Sequence, residues 1–159
     1  MRRLMWLLFA VFVSPEFLLS LILYGFYFFF PSTFDVLGRH LVSDKEVWKY
    51  LPTLPSALAA YAFSMSFKIR APSKERLRKI LYEWPLYNLL VDRVYVGILY
   101  AVLCFVLSLF LWILGEGLGS SISALLFLEA TAVSGVSALT MHEAAQKLPE
   151  ILIKYCDLK

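Results

Sequence analysis

Cysteine and charge are both scarce in this chain. Cys104 and Cys156 are its two thiols. Neither has a second Cys or a His at metal-ligand spacing, and two thiols are too few for a disulfide framework. The expectation is a pair of unpaired thiols in a reducing compartment. Charged residues make up 17% of the 159 residues and apolar residues 60%, where a soluble domain averages about 25% and about 45–50%. So short a chain has too little interior to hide that excess, so lipid has to solvate much of it. Catalytic signatures are missing too: there is no nucleophile elbow, phosphate loop, HExxH or dinucleotide fingerprint. His40 and His142 stand alone and far apart. No metal, cofactor or enzymatic activity is expected.

What is present is apolar runs. Met1-Arg2-Arg3 followed by Leu4 to Val13 resembles a signal peptide, but no small-x-small cleavage site follows. The run resumes after Pro15 and reaches Phe30, so a retained first span is predicted over 4–30. It is about 40 Å long if helical, against a hydrocarbon core of about 30 Å, and Pro15 is its expected kink. Pro31-Ser32 should end it. Residues 31–50 then read as a polar external loop, with capping-box spacing at Ser43 and Glu46 that predicts a short helix over Asp44–Tyr50. Further spans are predicted over 51–67, 94–114 and 120–140, with a cytoplasmic loop at 68–93 and a tail at 141–159. The tail should stay helical until Pro149 interrupts it. The fold class is thus an all-α, four-transmembrane-helix bundle in one domain, 1–159, with a cytoplasmic amphipathic helix.

Orientation follows from the basic residues. Twelve of the 15 Lys and Arg fall in the N-terminus, the 68–93 loop or the tail, and only Arg39, Lys45 and Lys49 lie elsewhere. The positive-inside rule then puts both ends in the cytoplasm and implies an even number of spans in a bacterial inner membrane. Within the loop, Ser73 is a candidate helix cap, and Trp84-Pro85 a stop. Leu77, Ile80, Leu81 and Trp84 follow helical spacing, with Lys74, Arg76, Arg78 and Lys79 supplying charge. Such a helix suits the membrane surface, its basic side meeting anionic lipid or an acidic cytosolic partner. Positive-inside topology accounts for the charges equally well. Direct nucleic-acid binding is not expected.

Two acids, Glu16 and Glu129, fall near the middle of predicted spans, with no Lys or Arg at similar depth. A charge there costs about 2.5–3.5 kcal/mol on insertion scales. Three readings are open: neutral acids donating structural hydrogen bonds, a proton or ion site, and a lipid or ligand contact. Two small-residue patterns suggest close helix packing: Ser56, Ala60 and Ser64 in the second span, and Ala124, Thr131, Gly135 and Ala138 on one face of the fourth. That face leaves Glu129 on the opposite side with Ile122, Leu126, Val133 and Val136, which points to a homo-oligomer.

Two function classes survive. One is an oligomeric membrane platform or sensor that engages a cytosolic protein through 68–93 and 141–159. The other is a small ion channel or pore-forming effector. In size and topology, with spans at 4–30, 51–67, 94–114 and 120–140 and a basic loop and tail inside, the chain resembles the small four-span membrane subunits of bacterial two-component phage-defence systems such as Kiwa. That resemblance implies a homo-oligomer that senses disturbance at the inner membrane and signals to a cytosolic effector.

Overall fold

The computed structural model describes residues 5, 9–43, 50–72, 75–114 and 117–157. Among them every regular element is helical: α1 (Pro15–Phe29), α2 (Pro31–Ser43), α3 (Thr53–Arg70), α4 (Glu75–Glu83), α5 (Tyr87–Leu114) and α6 (Ser120–Asp157). The all-α expectation holds. Two helices, Tyr87–Leu114 and Ser120–Cys156, are long and apolar enough to cross a membrane. The pair α1 and α2, bent by 100°, would make a third if counted as one span. The expected second span is a helix, α3, but Ser56, Ser64 and Ser66 and its basic end dilute its apolar character.

The first span, expected over 4–30 with a kink at Pro15, breaks just before that residue. Residues 9–12 are helical, the chain turns at Val13 and Ser14, and α1 restarts at Pro15. Pro15 has no N–H to offer the Val11 carbonyl four residues back. That carbonyl instead accepts from the Tyr100 hydroxyl at 3.2 Å and from Ser14 N–H at 3.3 Å. Ser14 then caps α1, accepting from Phe17 N–H at 3.2 Å. Tyr100→Phe should therefore cost about 0.5–1.5 kcal/mol, the net worth of one hydrogen bond, read by denaturant unfolding in mixed micelles. A loss of zero would mean that the freed carbonyl does not need Tyr100.

Pro31 does more than end the first helix. It occupies the first position of α2, where its missing N–H costs nothing, so much of the expected polar loop is helical. The short helix expected over Asp44–Tyr50 lies outside the described residues except for Tyr50. α2 crosses the start of α6: Phe34 packs with Ala124 and Leu125, and the Ser120 hydroxyl donates to the Asp35 carboxylate. An acid at a helix N-terminus is favoured by the macrodipole. Asp35 also pairs with Arg39 at 3.1 Å.

α6 is the spine, packing against each of the other five helices. Its tail contradicts the expected break at Pro149, since the helix runs through that residue to Asp157. Leu148 and Leu152, buried on either side of the proline, pack in one cluster with Ile69 of α3 and Leu81 of α4. This burial offsets the lost backbone bond and carries the helix onward. The amphipathic helix expected within the 68–93 loop is α4, but the loop also holds the first turns of α5, which begins at Tyr87 rather than Val94.

Candidate functional site

The most heavily constrained polar group is Glu16. Pro15 and the Ser14 cap set it in the first turn of α1, and its side chain is fully buried. Its Oε1 accepts from Arg93 Nη2 at 2.7 Å and from Ser137 Oγ at 3.2 Å. Its Oε2 has no partner among the described residues. This corrects the expectation that no cation lies at the depth of Glu16. Arg93 sits within α5, and its side chain, 36% exposed, spans from the helix surface to the buried carboxylate, as long basic side chains do at apolar boundaries. Charge neutralisation between α1 and α5, with a hydroxyl from α6, ties three helices at one point.

Glu129 behaves differently. It is half-buried and meets the Ser20 hydroxyl of α1. The face expected to lie away from the bundle is not wholly free: Ile122 is exposed, but Val133 is buried against α5. Because α6 packs against five helices, its faces do not divide into one packed and one free side. Ala124 and Ala138 are buried as expected, while Thr131 and Gly135 are half-buried. A Cβ at Gly135 would sit in ordinary contact with Leu58 Cδ1, at 4.0 Å, so α3 packs here without close backbone approach.

The small-residue stripe of α3 is also displaced from its expected role. Ala60 and Ser64 are exposed and Ser56 is half-buried. The buried face is Pro55, Ala59, Ala62, Met65, Ser66 and Ile69. This face is one residue out of phase with the stripe, about 100° around the helix.

α4 carries the basic residues. Leu81 is fully buried, and Leu77, Ile80 and Trp84 pack beside it against the cluster that holds Leu148 and Leu152. The apolar side of this helix, expected to lie at the membrane surface, is thus covered by the tail of α6. Arg76, Arg78 and Lys79 are exposed and, with Glu75 and Tyr82, line a groove of about 440 Å³. Lys74 and Ser73 lie outside the described residues. Trp84 also borders a cleft of about 720 Å³ with Leu86, Leu89 and Arg93.

His142 accepts or donates through Nδ1 to the Tyr61 hydroxyl at 2.7 Å. Among the described residues no three His, Cys, Asp or Glu side chains gather closely enough to hold a metal ion. No family model matches the chain, and no curated protein or solved structure matches it either.

Proposed function

We propose that the chain is a multi-pass platform of a bacterial inner membrane that docks an acidic cytosolic protein on α4 and the tail of α6. One observation carries this reading. An amphipathic helix that lies on lipid keeps its apolar side for lipid, but that side of α4 is sealed against α6, with Leu81 and Leu152 fully buried. Arg76, Arg78 and Lys79 are left on a surface open to a soluble partner. In this reading α1, α3, α5 and α6 cross the membrane, α2 lies on the outer face and both ends are cytoplasmic, in keeping with the basic-residue bias. The resemblance to two-component phage-defence subunits would make the docked protein an effector. The reading does not require a homo-oligomer, because Glu16, one of the two acids that motivated one, has its cation within the chain.

The pore alternative draws less support. Ser66, Ser108 and Ser134 donate to carbonyls of their own helices, so they offer no continuous polar stripe.

The test places a photoreactive residue at Tyr82 in living cells. A crosslinked soluble protein is expected, retained by the native chain and reduced roughly tenfold or more in R76Q/R78Q/K79Q. The difference between the native chain and the triple variant should be largest at low salt and shrink at high salt, where screening weakens charge steering. An adduct of equal yield in the triple variant, or adducts to lipid alone, would overturn the docking reading.

A further inference from the structure

A groove of about 240 Å³ runs between α3 and α5, where Ala59, Ala60 and Phe63 face Ile98, Val102 and Phe105. Past Phe63, rings and a cation continue in series toward the C-terminus of α3. Phe63 meets Phe67 edge to face at 4.9 Å. The Arg70 guanidinium lies 5.2 Å from the Phe67 ring centre and 5.7 Å from that of Tyr95 on α5. No carboxylate among the described residues lies within ion-pair distance of Arg70, and its Nε is buried without a hydrogen-bond partner. A cation at a helix C-terminus is ordinary. That does not account for a guanidinium fixed beside rings from two helices past the end of an apolar groove. From Ser56 to Phe63 the groove wall rises about 10 Å, and Phe67 and Arg70 continue the same helix beyond it.

We propose that this groove seats an acyl chain of an anionic phospholipid whose phosphate is held by Arg70. The guanidinium supplies a planar fork of donors that matches phosphate oxygens, and cation–π contact with Phe67 and Tyr95 orients it without consuming those donors. The small side chains of Ala59 and Ala60 leave width for a chain, while Phe63 and Phe105 flank it. A second copy of the protein fits less well, since a two-fold contact on this face would bring two Arg70 cations to one surface. The inference goes beyond partner docking and rests only on α3 and α5 lying in lipid.

The experiment uses the full chain in mild detergent, delipidated and then offered phosphatidylglycerol or phosphatidylcholine with the same acyl chains, with bound lipid counted by native mass spectrometry. One retained phosphatidylglycerol is expected, preferred over phosphatidylcholine roughly fivefold, the worth of one basic residue toward an anionic lipid. Arg70→Gln should abolish the preference while leaving weak retention of both lipids. Ala60→Phe, at an exposed position on the groove wall, should remove retention of both. Arg39→Gln on α2, at an exposed basic residue away from the groove, should change neither, and inorganic phosphate, which has no chain, should not displace the lipid. Equal retention of the two lipids by the native chain would overturn the proposal, as would an undiminished preference in Arg70→Gln. So would a copy-to-copy crosslink from position 60 that survives excess phosphatidylglycerol.

Discussion

Arg93→Gln is expected to destabilise the protein by about 3–5 kcal/mol, the cost of removing one partner from a buried ion pair. The native pair is short, 2.7 Å, and Glu16 is fully buried, so removing the guanidinium leaves the carboxyl with the Ser137 hydroxyl as its one remaining partner among the described residues. Glu16→Gln leaves Arg93 better placed, because that side chain is already 36% exposed and can turn outward. The single variants should therefore be unequal, with Arg93→Gln the worse. The double variant Glu16→Gln/Arg93→Gln pairs two neutral amides in the same space and should recover much of the loss, giving a coupling of about 0.5–3 kcal/mol. Unfolding of all four proteins in mixed micelles measures the cycle. If the singles are additive, Glu16 and Arg93 do not act as a pair, and the point that ties α1, α5 and α6 is elsewhere.

Gly38→Ala should destabilise by about 1–3 kcal/mol, the range for overpacking a filled site. An added Cβ at Gly38 would fall well inside van der Waals distance of the Ser120 carbonyl oxygen. That oxygen belongs to the backbone of α6 and cannot rotate away, so α2 must lift off and loosen the Asp35–Ser120 contact. The sign matters here. Ala is worth roughly 0.5–1 kcal/mol more than Gly within a helix, so without the clash the change would stabilise. Gly25→Ala provides the contrast, because nothing lies within 4 Å of a Cβ built there; it should be neutral or slightly stabilising. Gly97 is intermediate: its added Cβ would meet the end of the Met141 side chain, which can swing aside. Unfolding of the three Ala variants under one condition tests the order, and a stabilised Gly38→Ala would refute the close crossing of α2 over α6.

Much of the helical content was legible in the residues. Apolar runs marked α5 and α6, Pro15 marked the turn before α1, and the spacing of Leu77, Ile80, Leu81 and Trp84 marked the buried face of α4. These signals are local, because hydrophobic periodicity and the missing N–H of proline act within a turn or two. Local rules fell short where a distant partner altered the outcome. Pro149 reads as a stop, yet α6 continues because Leu148 and Leu152 are buried against α3 and α4. Pro31 reads as an end, yet it also begins α2, whose Phe34 and Gly38 find their surface on α6.

The sequence by itself determined that this is an apolar, all-helical chain whose basic residues gather in its N-terminus, central loop and tail, since composition and charge placement need no neighbours to be read. Only the tertiary structure decided which polar groups meet. Glu16 and Arg93 are 77 residues apart, Glu16 and Ser137 are 121 apart, and no periodicity connects positions that distant. The face α3 buries was likewise settled by packing: Ala59, Ala62 and Ser66 turn inward while Ala60 and Ser64 remain outside. Alanine and serine occur on both faces of that helix. The choice between them therefore rests on the shapes of α5 and α6, not on the residues of α3.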